Sequence, residues 1–303
     1  MATGGGPRSR LMEARRILVL APHPDDEIVA CGIAALHARA AGARLFVLYL
    51  TTGVPAPEML WPWRRAGHAA RVARRRAEAH AAAALLGFEP TRFLDYPSRQ
   101  LRDHLEAAEA AVDRTLAECA ADALWVTAFE GAHQDHDVAN ALASKFRDRI
   151  SVCEFAAYNF AGGDVRSNHF PDRRDGDVRI ELSAEEAALK KKALACYASE
   201  RGNLRHIRVA CESWRPLPDH EYGAPPHAGR LFRERFHWVP FRHPRVDFDR
   251  SARIYAKVGG WVSARDAHAQ LPFGNRPSGK PGQADREFSG ALDEAERQRG
   301  FGG

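Results

Sequence analysis

Two short stretches hold the side chains best able to do chemistry in this chain: HPDDE at residues 23–27 and HQDH at residues 133–136. The first follows the apolar run ILVLA, so an imidazole and three carboxylates stand at the mouth of a strand that must itself be buried. A catalytic zinc site takes three protein ligands from His, Asp, Glu or Cys and leaves a fourth position for water. His23 and Asp26, three apart at a loop-to-helix junction, can point toward one centre, and one imidazole of the second stretch would complete the set. A carboxylate and a second histidine are then left over. Metal-assisted hydrolysis needs such groups, as a base for the water proton and as a cation or acid for the developing oxyanion. Each stretch alone has a simpler explanation, since acidic residues at a helix start are favoured by the helix dipole. Their common placement is the stronger signal.

That placement depends on the elements that carry them. Ile17–Leu20 reads as a short strand of a parallel sheet buried on both faces. From Asp26, Val29, Ile33 and Leu36 recur at helical spacing, and Gly42 ends that helix. Further strands are expected at Arg44–Leu50, Arg92–Tyr96, Leu124–Thr127 and Val152–Phe155, with helices over Arg64–Leu86, Leu101–Ala120 and about Asp137 to Phe146. This alternation predicts an α/β fold: a Rossmann-like, doubly wound, mainly parallel sheet with helices on both faces and a smaller C-terminal extension. In the strand order 3-2-1-4-5 the first and fourth strands are neighbours, and their C-terminal ends flank the crevice where ligands of open α/β sheets bind. HPDDE follows the first of these strands and HQDH the fourth.

Beyond residue 160 the alternation weakens to a helix at Ala184–Ala198 and a β-ribbon near Leu231–Phe241, joined by Pro-rich loops such as RPLPDHEYGAPPH. Residues 1–15 read as a flexible leader. Residues 16–262 read as a single domain, with a core at about 16–160 and the C-terminal part of the site at about 161–262. Residues 263–303 form a polar tail expected to be disordered.

Composition narrows the class. Five scattered cysteines without a C-x-x-C argue against a disulfide framework or zinc ribbon and for a reducing compartment. The first residues lack the apolar core of a signal peptide, and no apolar run approaches the roughly 20 residues that cross a bilayer. A cytoplasmic protein is the expectation. The formal charge of +5 is weak support for an acidic partner. Apart from Arg75, the arginines between residues 64 and 76 read as a solvated helix face, so a small-molecule substrate and no nucleic acid are expected. Composition sets no oligomeric state.

APHPDDE after an opening strand, with the later EGAHQDHD, resembles the PIG-L/LmbE-like family of zinc-dependent N-acetylglucosaminyl deacetylases. The family motifs are commonly written (A/P)HPDDE and HPDH. The first matches fully, and in the second Gln134 stands where proline is usual, with an expected effect limited to backbone stiffness. The resemblance covers most of residues 15–240, more loosely through ARRRAEAHAAAALLGF, which maps Arg75 and Glu78 onto an Arg-x-x-Glu helix, and through ESWRPLP, EYGAPPH and LFRERF. It implies that His23, Asp26 and His136 bind Zn²⁺, with Fe²⁺ as an alternative. It also implies that Asp25 is the general base, that His133 stabilises the oxyanion with Asp135 holding it, and that Arg75 contacts substrate hydroxyl or phosphate groups. Adjacent side chains diverge at a helix start, which agrees with Asp26 as ligand and Asp25 as base.

Outside the motifs, Trp61 and Trp63 flanking Pro62 suit a sugar-stacking lip or ordinary packing, and His227 suits either a reach into the site or a surface loop. Glu130 would orient the second motif or lie exposed, Glu27 would support the helix or a ligand, and Cys31 reads as core. The implied reaction is hydrolysis of a linear amide, removing acetate from an N-acetylated amino sugar or glycoconjugate. The motifs leave open an amidase or deacylase acting on a non-sugar or thiol-conjugate amide, and a non-catalytic binding protein on the same fold.

Overall fold

Strand β1 (Arg16–Ala21) is buried from Ile17 onward and lies between two parallel neighbours, β2 (Arg44–Pro55) and β4 (Ala123–Thr127). In this computed structural model, which describes residues 14–89, 92–241, 243 and 246–269, β1 is the third strand of a seven-stranded sheet. The order is β3-β2-β1-β4-β5-β9-β8, where β3 is Arg92–Ser98, β5 Ser151–Phe155, β8 Val178–Glu181 and β9 Cys211–Pro216. The first five strands are parallel and contain the expected order 3-2-1-4-5. β9 and β8 extend the sheet antiparallel beyond β5, and β6 (Tyr158–Asn159) and β7 (Arg166–Ser167) form a small separate ribbon.

Side chains alternate across a strand, and both faces of β1 are apolar. Ile17 and Val19 join a core formed with α1 (Asp26–Ala40), α3 (His68–Leu86) and α6 (Ala184–Ala195). Leu18 and Leu20 join the opposite core, formed with α4 (Leu105–Cys119), α5 (Gln134–Ser144) and α7 (Ser251–Ala269). Among the described residues no helix is long and apolar enough to cross a membrane.

Several expectations are corrected. The helix expected over Arg64–Leu86 is divided at Gly67 into a single turn, α2 (Pro62–Arg65), and α3. The helix of the second motif begins at Gln134 rather than near Asp137, so HQDH forms its first turn. Leu231–Phe241 is not a ribbon: Phe232–Phe236 is a 3₁₀ turn in which Phe232 and Arg233 are buried. Strands β8 and β9 and helix α7 were not expected from the sequence. β9 reads CESWRP and buries Glu212, Ser213 and Arg215 as well as Trp214, so it lacks the apolar signature of a central strand. Residues 1–13 of the expected leader, and the expected tail from residue 270 onward, lie outside the described residues.

Candidate metal centre

The two motifs open two helices on adjacent strands, α1 after β1 and α5 after β4. Thr51 on β2 fixes the first loop, donating its backbone N–H (3.0 Å) and its hydroxyl (2.8 Å) to the Pro22 carbonyl. Asp25 then adopts φ 133°, a region where a β-carbon is strained. Its N–H donates to Glu27 Oε2 (3.1 Å), and its carbonyl accepts from Ile28 and Val29 to start α1. The turn brings Asp26 back onto His23: Asp26 Oδ2 accepts the His23 N–H at 2.8 Å and lies 3.0 Å from His23 Nδ1. From the second motif, His136 Nε2 stands 3.1 Å from Asp26 Oδ1.

Among the described residues, two sets of three side chains have ligand atoms close enough to share an ion, His23–Asp26–His136 and His23–His133–Asp135. Their hydrogen bonds distinguish them. In the second set His133 Nδ1 already accepts the Asp135 N–H (3.1 Å). Asp135 Oδ2 accepts the Arg99 N–H (2.6 Å) and contacts His23 Nε2 (3.0 Å). In the first set His136 is fully buried; its Nδ1 has no hydrogen-bond partner, and its Nε2 meets the carboxylate of Asp26 at 3.1 Å. A buried imidazole left in that state costs free energy unless something else engages it. The donor set fits a divalent cation: two imidazoles and a carboxylate are ordinary zinc ligands.

The electrostatics centre on His23. Burial alone would lower the pKa of His23, but its contacts with Asp135 and Asp26 outweigh burial and push it up to about 10. Burial would raise Asp26 and Asp135, yet His136 and His23 hold Asp26, and His23 with the Arg99 backbone N–H holds Asp135, well below the usual carboxylate range. His23 lies between these two ionised carboxylates and supplies the positive charge that balances them. His133, pressed by burial and by His23, is held well below the ordinary histidine value and is neutral. Because its Nδ1 accepts a backbone N–H, its proton sits on Nε2.

Asp25 is the carboxylate left over. Burial raises its pKa well above the ordinary value, an effect that Arg75 opposes. Arg75 is only 3% exposed; it donates to Asp25 Oδ2 (3.1 Å) and to the Pro24 carbonyl, and pairs with Glu200 (3.6 Å). The Arg75 guanidinium is thus enclosed and paired with Asp25. Gly53 (φ 67°) permits this, since a β-carbon there would lie 3.0 Å from the guanidinium. Behind α1, burial pushes Glu27 up to about 7, and Tyr197 donates its hydroxyl to Glu27 Oε1.

The outer candidates are placed differently. Glu130 is fully buried and accepts from the backbone N–H groups of Ala157 (2.6 Å) and Tyr158 (3.0 Å), tying the loop before HQDH to the chain after β5. His227 Nε2 lies 3.3 Å from the Glu130 carbonyl, beside Gly131 (φ 69°), and its Nδ1 is buried without a partner. It reaches the loop that carries the second motif but belongs to neither ligand set. Trp63 is 75% exposed and stacks on Trp61, with ring centres 5.3 Å apart and planes 4° from parallel. Gln134 does more than stiffen the backbone. Fully buried, it accepts from Arg102 and donates to Asp247 (2.7 Å) and Asp249 (3.1 Å).

Some participants carried no signal in the sequence. Ser98 Oγ lies 3.3 Å from His23 Nε2, and Arg99 (φ 72°) acts through its backbone N–H, which any residue but proline supplies. Tyr158 presents its ring to His136 with centres 5.4 Å apart.

This layout of two polar motifs at neighbouring strand ends has relatives. Residues 18–146 match the PIG-L family, described as GlcNAc-PI de-N-acetylase. The PIG-L segment thus includes both motifs and runs from β1 to just beyond α5. Among solved structures, a deacetylase of the teicoplanin biosynthesis pathway superposes with a TM-score of 0.54 at 19% identity, covering 66% of this chain and 97% of that one. The A40926 pseudoaglycone deacetylase gives 0.52 at 21% identity, over 66% and 96% of the two chains. A zinc-inhibited form of a teicoplanin deacetylase gives 0.51 at 18%, over 66% and 97%. These likenesses show that the chain shares their α/β fold. A comparison with curated protein sequences finds no match.

Proposed function

We propose that this protein is a metal-dependent N-deacetylase that hydrolyses the acetamide of an N-acetylglucosamine-type substrate. The observation that carries this reading is the convergence of the fully buried His136, whose Nδ1 is unpartnered, with Asp26 and His23, next to a spare carboxylate on Asp25. The match of both motifs to a de-N-acetylase family supports the reaction class, and the names of the structural relatives agree with it.

In this reading His23, Asp26 and His136 hold Zn²⁺, with Fe²⁺ as the alternative. When bound, the metal supplies Lewis acidity toward the amide oxygen and lowers the pKa of water to roughly 7. Asp25, fixed by Arg75, takes the proton of the attacking water and passes it to the leaving amine. His133, neutral with its proton on Nε2, donates to the amide oxygen as negative charge develops there. Asp135 keeps that imidazole oriented through its own backbone N–H and holds the adjacent His23. Trp63 and His227 are assigned to the sugar and to its attached group.

The test measures bound metal and acetate release from N-acetylglucosamine conjugates. Chelation should abolish turnover, and one equivalent of Zn²⁺ or Fe²⁺ should restore it. Because one structural relative is described in a zinc-inhibited form, the titration should continue past one equivalent. Failure of any divalent metal to bind, or turnover that survives its removal, would overturn the reading. Preference for a non-sugar amide in a substrate panel would keep the chemistry and move the substrate class.

A further inference from the structure

Helix α1 is not continuous. Cys31 has φ −140° and ψ 20°, which breaks the helix one turn after the first motif. In an unbroken helix the Ile33 N–H would donate to the Val29 carbonyl. Here Ile33 N–H donates to both oxygens of Glu212 (2.9 and 3.1 Å) and Ala34 N–H donates to Glu212 Oε2 (2.8 Å). On the other side of the break the Val29 carbonyl accepts from Asn168 Nδ2 (2.7 Å) and Lys190 Nζ (2.9 Å). Lys190 and Glu212 are themselves paired at 2.7 Å, and both side chains are completely buried.

A buried ion pair is a costly way to stabilise a fold, and apolar residues of similar volume often do as well or better. Such a pair is understandable where it specifies one geometry among alternatives. The backbone groups it serves are those the break leaves without helical partners. Glu212 places a carboxylate on the N-terminal end of the second half of α1, and Lys190 places an ammonium on the C-terminal end of the first turn, each with the favourable sign for the helix dipole. Three distant elements converge here: β9 through Glu212, α6 through Lys190 and the residue after β7 through Asn168.

We propose that Lys190, Glu212 and Asn168 are positioning residues for the metal-ligand turn: they hold α1 broken at Cys31, so that Asp26 stays aimed at His23 and His136. This rests on the metal reading given above. Freed of its side-chain clamps, the helix would re-form its own hydrogen bonds and swing the short first turn, which carries Asp26 and follows Asp25.

The experiment uses the full chain and reads metal affinity by chelator competition, with Co²⁺ as a spectroscopic stand-in for Zn²⁺. Lys190→Met/Glu212→Leu replaces the pair with apolar groups of similar bulk. The expected result is a cooperative thermal transition with metal affinity lowered about 10–100-fold, the range for loss of groups that orient ligands, and an altered Co²⁺ spectrum. A folded double variant with wild-type affinity and spectrum would overturn the proposal. If the double variant does not fold, Asn168→Ala and Glu212→Gln decide on the same readouts, and unchanged affinity in both overturns it. His136→Ala is measured alongside. If it binds metal like the wild type, the metal reading has failed; if it loses the metal while the clamp variants do not, only the positioning claim fails.

Discussion

The N-termini of α1 and α5 do the same job of presenting a polar motif at a strand end, yet they are built in opposite ways. Helix α5 starts conventionally: His133 has extended backbone angles (φ −113°, ψ 146°), and its side chain caps the Asp135 N–H. Helix α1 starts from a strained Asp25 whose side chain caps nothing. The capping bond instead comes from Glu27, which accepts the Asp25 N–H, and this leaves the Asp25 carboxylate to Arg75 and to chemistry. In α5 the motif residue is used up by local structure and becomes a fixed donor. In α1 local structure is handed to neighbours, and the motif residues are left available. Backbone strain at Asp25 is tolerated because Thr51, Glu27 and Arg75 hold the loop from three directions.

Variants that exchange these arrangements should rank by how directly they touch the centre. Asp26→Asn and His136→Ala should lower metal affinity by more than about 100-fold, beyond the range for loss of an outer partner; chelator competition checks this. Asp25→Ala should leave metal content near one equivalent while lowering kcat by about 10²–10⁴-fold, and retained activity would remove Asp25 as the base. His133→Ser restores a capping oxygen without the imidazole. It should keep the melting temperature near wild type yet lower kcat by about 10²–10³-fold; an unchanged kcat would mean that His133 is only a cap. The smallest effect belongs to Gln134→Pro, which installs the residue usual in the family at a helix position that favours it. It removes the hydrogen bonds to Arg102, Asp247 and Asp249, so stability should fall by about 1–3 kcal/mol in denaturant melts, with metal affinity unchanged.

Much of the parallel half was legible because its signals are local. ILVLA and RLFVLYL are apolar enough to be central strands, and their alternation with helical periodicity led to the observed order of the first five strands. The antiparallel half was not legible, because β9 carries buried charge and β8 is a four-residue edge strand with only Ile180 buried. Glu212, Arg215 and Lys190 look like surface residues until their partners are known. The surroundings of Arg75 were illegible for the same reason: an arginine on an Arg-rich helix looks solvated, and only the approach of Gly53, Pro24 and Asp25 shows it enclosed.

Sequence by itself determined the residue types of the centre, the strand ends that bear them and hence their meeting across neighbouring strands. These follow from hydrophobic periodicity and from the short range of helix and strand signals. Tertiary structure decided how two overlapping ligand sets differ, because His133 and Asp135 are engaged by the backbone N–H groups of Asp135 and Arg99. It also decided that α1 breaks after one turn, because the break is held by Lys190, Glu212 and Asn168, more than 130 residues away along the chain. A carboxylate's role is set by what surrounds it, and the chain reveals those surroundings only once folded.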